Sequence, residues 1–351
     1  MGFFKKIMTA WRRFFSGAGE TLSEDYIGKN APKKLRVGLY TTLVALVLLL
    51  LLGWYWSQEP AEFNIYVETN PGAVIGVTTA SALVNVVDVL LDKPGGYLSN
   101  DIMPPGIWLD NQPSWEYGVI IQVRDLSKAM RESFSRSQSQ SAEDPDLSLA
   151  EPRFNVDHVR WAAPWPEVEY REGRNYVASY LERLSDEEAF DAQFYARADN
   201  LRYWLGTVEK RLGSLSQRLS ASVGQRRINT DLSGSLGARQ STATPGELVV
   251  KTSWWQIDNV FYEARGTAWA LVHFLKAVEV DFGDVLAQKN ATVSLLQIIR
   301  ELEMTQRPLR TPMIVNGEGF GLLANHSLVM ASYISRANAA IIDLRELMSQ
   351  G

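Results

Sequence analysis

The stretch VGLYTTLVALVLLLLLGWYW, residues 37–56, decides how this chain is read. Its twenty consecutive positions carry no charge. At about 1.5 Å per residue, a helix of that length covers roughly 30 Å, the thickness of a bilayer's hydrocarbon core. The sequence therefore predicts one transmembrane helix with residues 57–351 on one side of it. Eight basic and three acidic residues precede the span, a net charge of +5. Lys33, Lys34 and Arg36 lie against it, which by the positive-inside rule puts the N-terminus in the cytoplasm. Trp54, Tyr55 and Trp56 close the far side as an aromatic anchor suited to the opposite interface.

Beyond residue 36 the remaining 27 basic and 37 acidic residues give a net −10, a balance that keeps a domain soluble and argues against nucleic acid as a partner. A cleaved signal peptide would have a shorter apolar core near the start and a small-residue cleavage site. Arg12-Arg13-Phe14-Phe15 resembles a twin-arginine signal only faintly, because a polar, partly acidic stretch separates it from the span. Residues 3–15 instead alternate an apolar face (Phe3, Ile7, Trp11, Phe14) with a basic one (Lys5, Lys6, Arg12, Arg13), as a helix lying on an anionic leaflet does. The chain has no cysteine, so disulfides, thiolate catalysis and cysteine-held metals are excluded.

After the span, Phe63, Ile65, Val67 and Thr69 alternate as a short strand would, and Pro71-Gly72 stops them. Helical periodicity then dominates. Leu83, Val86, Val87, Leu90 and Leu91 form one stripe, ended by Pro94-Gly95-Gly96. A loop over 94–113 precedes a helix expected to be capped by Ser114, with Val119, Val123, Leu126, Met130 and Phe134 on its buried face. The run 133–141, SFSRSQSQS, reads as a fraying end or exposed loop, 145–166 as a connection, and 168–184 as another helix. The longest element is expected over 186–222, about 55 Å long. Ala198, Leu201, Leu205, Val208, Leu212, Leu215 and Leu219 recur along it at spacings of 3 and 4, a coiled-coil-type seam for a helix of the same chain or of a second subunit. Candidate partners carry Ile257, Phe261, Ala264 and Ala268; Val293, Leu296, Ile299 and Leu302; and Met330, Ile334, Ala337, Ile341 and Leu344.

The reading is thus a mainly α chain. It has a cytoplasmic basic segment (1–36), a transmembrane helix (37–56), a helical region (57–223), a Gly/Ser/Thr/Arg-rich linker or long loop (224–250) and a second helical region (251–351). The exterior part is all-helical, with long coiled-coil-like helices and at most one short strand.

Chemical signatures are sparse. His158, His273 and His326 are not spaced as metal ligands, and no G-x-S-x-G, S-x-x-K or P-loop pattern occurs. Gly317-Glu318-Gly319-Phe320-Gly321 lacks the context of a phosphate-binding fingerprint and reads as a turn. The sequence therefore names no catalytic residue, metal ligand or cofactor, and points away from an enzyme. Carboxylate pairs such as Glu167/Glu169 and Glu187/Glu188 would serve glycoside hydrolysis only if folding set two carboxylates across a cleft. Trp161/Trp165 and Trp254/Trp255 are the candidate ligand or partner contacts, against the alternative that they simply pack where helices meet loops. Gly213, Ser214, Ser216, Ser220, Ala221 and Ser222 suit close helix contact.

Several long strings occur in order: KPGGYLSNDIMPPG from Lys93, LDNQPSWEYG from Leu109, SFSRSQSQS from Ser133, ARADNLR from Ala196 and RLGSLSQRLSASVG from Arg211. From the anchor onward the chain resembles the proteobacterial inner-membrane proteins of domain-of-unknown-function family 2333. That resemblance implies a Gram-negative inner membrane and a periplasmic exterior domain, and it brings no activity or functional residue with it. Three functions stay open: a protein-interaction or scaffolding role, with an envelope protein or a second copy as partner besides membrane lipid; a glycan- or lipid-binding module; and a hydrolase with an unrecognised carboxylate site.

Overall fold

The computed structural model describes residues 33–65, 74–138, 140–186, 191–228, 247–309, 313–317 and 322–350. The amphipathic segment 3–15, Val67 and Thr69, Glu187/Glu188, residues 318–321 and the side chains of Lys33, Lys34 and Arg36 lie outside what is described. The chain divides into two compact units, Met1–Trp54 and Tyr55–Gly351.

Helix α1 (Lys33–Trp56) carries the apolar run. Val37–Trp56 is long and apolar enough to cross a membrane, with a mean hydropathy of 2.2, and only 6% of that window is buried. A helix in the core of a soluble protein would be mostly buried. The hydroxyls of Thr41 and Thr42 donate back to the carbonyls of Val37 and Gly38, which satisfies them without water.

In the second unit the described elements are α2 (Val77–Asp92), α3 (Asn111–Ala129, continued by a π turn over Met130–Phe134), α4 (Pro145–Phe154), α5 (Pro166–Ser185), α6 (Ala198–Ser220), β1 (Gln225–Ile228), β2 (Glu247–Val250), α7 (Ile257–Asp281), α8 (Gly283–Gln288), α9 (Thr292–Thr305) and α10 (His326–Ser349). The apolar stripes of α2, α3, α5, α6, α7, α9 and α10 merge into one core.

Helices α3 and α7 form its axis and run the same way. Asp110 and Asp258 repel each other at their starts, the Trp115 and Trp269 rings lie 5.2 Å apart further along, and Phe134 meets Phe282 at their ends. They cross with backbone nearly on backbone. A Cβ on Gly266 would fall 2.0 Å from the Trp115 carbonyl oxygen, and one on Gly118 would fall 2.2 Å from that of Glu263.

Helix α2 runs antiparallel to α7, and Asp281 of α7 accepts hydrogen bonds from the Thr79 amide and hydroxyl, both 2.6 Å, at the start of α2. Helix α5 is antiparallel to α2 through Arg171–Asp92 and Arg174–Asp88, and α4 is antiparallel to α5 through Arg153–Glu169 and Arg183–Asp144. The seam of α6 closes on α10, and Arg345 of α10 pairs with Glu209. It is therefore an intrachain contact.

Helices from both sides of 224–250 share the core. The ends of that segment pair as an antiparallel ribbon, Gln225 with Val250 through Ile228 with Glu247, where the sequence suggested a linker or long loop.

Five further expectations are corrected. No strand forms at Phe63 or Ile65 among the described residues, because the Phe63 amide donates to His273 Nε2 instead. Ser114 is not a cap. Helix α3 begins at Asn111, since Pro113 is tolerated in a first turn, and the Ser114 hydroxyl donates to the Asp110 carbonyl. The connection 145–166 contains α4, whose N-cap Asp144 accepts from the Asp146 and Leu147 amides. The long helix begins only at Ala198, because the Tyr195 amide is drawn to the Phe134 carbonyl at 2.6 Å; its 23 residues span about 35 Å. Among the described residues of this unit the longest helix is α7, with 25 residues. Helix α9 also turns a different face inward: Leu295 and Ile298 are buried with Ile299 and Leu302, while Val293 is 78% exposed and Leu296 37%.

Candidate functional site

The starts of α3, α5 and α7 and the end of α2 gather at the end of this unit where Tyr55 and Trp56 enter it, hereafter the Trp56 end. The chain leaving Trp56 is strapped along α7. Gln112 Nε2 donates to the Ser57 carbonyl at 2.8 Å, Glu59 pairs with the buried Arg265 at 2.6 Å, Glu62 pairs with Lys276, and Phe63 stacks on the His273 ring at 4.0 Å. His273 is fully buried, holds the Trp269 carbonyl through Nδ1 and accepts from Phe63 through Nε2. Burial lowers its pKa to about 4, so the ring works as a neutral clamp.

A cleft of about 420 Å³ opens at this end, lined by Trp56, Asn100, Asp101, Ile102, Met103, Pro104, Trp161, Trp165 and Glu167. Two loops build it. The first, after α2, rests on a buried ion pair: Lys93 Nζ lies 2.6 Å from Glu116 Oε1, with both side chains inaccessible. Glu116 also accepts from the amides of Leu98 and Ser99, both 2.8 Å, and from the Ser99 hydroxyl at 2.5 Å, while Lys93 donates to the Gly96 carbonyl. Burial pushes the Glu116 carboxyl up, and Lys93 and these hydrogen bonds oppose that. Gly95 makes the turn with φ +88°, and a Cβ there would strike the Trp56 ring at 2.7 Å. The second loop, after α4, is held by Arg124, which donates to the carbonyls of Phe154 and Val156. Tyr97 reaches across to the His158 carbonyl and Asn100 Nδ2 to that of Arg160, so the two loops are tied together, and Asn100 Nδ2 also donates to Glu167 at the start of α5 at 3.0 Å.

Asp101 has a raised pKa because of burial first and the Glu167 charge second, with Lys93 pulling the other way. The cleft thus sets exposed aromatic faces beside an amide and two carboxylates. Such a set can stack on a sugar ring and hydrogen-bond its hydroxyls.

Of the residues singled out in the sequence, Trp161 and Trp165 share the cleft with Trp56, and Glu167 joins them. Trp254 and Trp255 sit on a 3₁₀ turn before α7, tied to the end of α6 by Thr252, at the same end but not among the cleft's lining residues. Packing does not account for these four: Trp161 is 66% exposed, Trp165 51%, Trp254 69% and Trp255 82%. Trp54 and Tyr55 are exposed at the end of α1. Glu169 is buried against Arg153 and takes no part. His158 and His326 are engaged inside the fold, His158 against the Tyr117 ring and His326 through the Val315 amide. Among the described residues no three His, Asp or Glu side chains converge as metal ligands. Asn100, Asp101, Ile102 and Met103 were not singled out in the sequence. Their one signal is an apolar pair stranded in a loop otherwise rich in proline and glycine.

A family described as "Uncharacterized protein conserved in bacteria (DUF2333)" matches residues 30–351. The chain belongs to this family. Both cleft loops, the strap and the paired tryptophans fall within the matched region, as does the whole apolar span. No curated protein and no solved structure matches the chain.

Proposed function

We propose that this is a single-pass protein of a bacterial inner membrane, its N-terminus cytoplasmic and its helical domain periplasmic. We propose further that the domain binds a sugar-bearing envelope ligand, either a glycan or the headgroup of a glycolipid precursor, in the tryptophan cleft. The observation that carries the reading is the exposure of Trp161 and Trp165 on one cleft with Asn100, Asp101 and Glu167. A scaffolding role through the α6 seam loses its motive, since that seam is filled by α10.

The test is a titration of the full chain in detergent with cell-wall fragments and lipid-linked sugars, followed by tryptophan fluorescence. Saturable change that disappears in Trp161→Ala/Trp165→Ala supports the reading. No change, or the same change in the double variant, overturns it. If fragments are cleaved during the titration and Asp101→Asn stops the cleavage, the hydrolase reading takes its place.

A protein partner or a second copy keeps one observation in its favour: Arg226, Ile228 and all of β2 are exposed on the ribbon, and Trp254 and Trp255 follow it in the chain. In-cell crosslinking from Trp255 tests that separately.

A further inference from the structure

Single exposed apolar side chains such as Ile75, Leu149, Val293 and Ile342 occur elsewhere on the helical unit, but its exposed tryptophans cluster. Ile102, Met103, Trp108, Trp161, Trp254 and Trp255 are all exposed, and all lie on loops and turns at the Trp56 end. Leu322 and Leu323, just before α10, join them, since α10 begins beside Phe261 in the first turns of α7. At the opposite end Phe134, Phe194 and Phe282 turn edge to face toward one another, and Trp204 is fully buried. Among the described residues beyond α1, every exposed tryptophan is at the Trp56 end.

We infer that this end of the domain is itself a membrane-docking surface, its loops and tryptophans seated in the headgroup layer of the bilayer that α1 crosses. The inference rests on the single-pass reading above. The occupant follows from covalent geometry. Trp56 is the last residue of the apolar run, and from Ser57 to Phe63 the chain is already bonded to α3 and α7, so few residues separate this surface from the end of that run. Tryptophan and aliphatic side chains on a rigid rim are what the interfacial layer accommodates. Charge points to the kind of surface. The ionisable groups at this rim carry both signs: Asp101, Glu167, Asp110 and Asp258 stand with the exposed Arg160 beside Trp161 and Lys251 beside Trp254. With no single-sign field at the rim, docking is apolar and aromatic, and zwitterionic lipid suffices for it.

The chain has no cysteine, so single labelling sites are available throughout. The full chain is reconstituted into zwitterionic phospholipid vesicles with one nitroxide label at Met103→Cys, Trp255→Cys, Val293→Cys or Leu46→Cys. Collision rates with oxygen, which concentrates in lipid, and with a water-soluble nickel chelate are then compared. The expected result is an oxygen-to-chelate ratio severalfold higher for Met103→Cys and Trp255→Cys than for Val293→Cys, approaching that of Leu46→Cys in the span. If the Met103→Cys and Trp255→Cys labels meet the chelate as freely as Val293→Cys while Leu46→Cys stays in lipid, docking is wrong and the anchor stands. If Leu46→Cys is also bathed in chelate, the span itself is wrong and docking falls with it.

Discussion

Where α3 and α7 finish, Phe134, Phe194 and Phe282 spend their aromatic surface on each other; where the two helices start, Trp108, Trp161, Trp165, Trp254 and Trp255 turn theirs outward. Residue chemistry is nearly the same at both ends, but the supports differ. The Phe282 end is closed by apolar contact among the π turn after α3, the extended segment 191–197 and the end of α7. The Trp56 end is closed by loops whose own rigidity comes from polar devices: the Lys93–Glu116 pair beneath one loop, Arg124 beneath the other and His273 behind the strap. Stability and recognition should therefore be separable there by mutation.

The largest effects come from attacking the two kinds of support. Phe282→Ala empties a fully buried site and should cost about 3–5 kcal/mol. Ligand response at the cleft should persist in the fraction that remains folded. Glu116→Ala should cost a similar amount, about 3–5 kcal/mol, because it strands the Lys93 ammonium without a partner. In this variant the cleft should fail as well, since Leu98 and Ser99 lose their acceptor. Adding Lys93→Met should restore much of the stability but not the binding. Chemical denaturation in detergent, run beside the fluorescence titration, reads both. Equal loss of binding in Phe282→Ala and Glu116→Ala would erase the contrast between the ends.

Next in size is a pH effect at the strap. The folded His273 ring gains a proton only near pH 4, the unfolded ring near 6.5. Between these values the unfolded chain holds more protons, so stability is full above 6.5 and declines as pH falls toward 4. The full swing is about 3 kcal/mol, with about 2 kcal/mol of it gone by about pH 5. Denaturation midpoints at neutral and mildly acid pH, compared between the parent and His273→Gln, isolate this group from the carboxylates. An unchanged slope in the variant would mean that the clamp is not His273.

The axis between the ends gives an intermediate effect. Gly266→Ala forces a methyl against the Trp115 carbonyl and should cost about 1–3 kcal/mol as α3 and α7 separate. Gly118→Ala should act alike, and the double variant should cost less than the sum of the two, because one separation relieves both clashes. Strict additivity would show that the helices do not move as rigid rods.

Much of this architecture was legible beforehand, and the reason is periodicity. Leu201 through Leu219 recur at helical spacing because one face of α6 must meet α10, and Leu83 through Leu91 recur because α2 is covered along its length. Short elements escaped. Helix α4 carries Pro145 and Pro152 and looked like a connection, although Asp144 followed by proline is a helix-start signal. On α9 four apolar positions matched a helical stripe, yet Leu295 and Ile298 provided an equally good one, and only the neighbours α7 and α10 decide between them. The cleft was half legible. Trp161 and Trp165 announced themselves, but Asp101 and Glu167 come together only because the loop after α2 meets the first turn of α5, more than sixty residues on, which no local pattern encodes.

The smallest expected change in stability is the most telling for function. Trp161→Ala and Trp255→Ala each remove a ring that already faces solvent, so neither should shift folding free energy by more than about 0.5 kcal/mol. Their functional signatures should nevertheless diverge. Trp161 lines the cleft, and its loss should weaken ligand affinity by at least about 2 kcal/mol, the cost of truncating an aromatic anchor. Trp255 lies outside the cleft lining, so its truncation should leave ligand affinity intact and lower only the contact of this end with lipid, read as reduced quenching of the remaining tryptophans by brominated acyl chains. Were both variants to lose the ligand equally, cleft and rim would be one surface. Were Trp161→Ala to unfold the chain, the ring would be a structural support after all, and the distinction between the two ends would rest on the phenylalanine cluster alone.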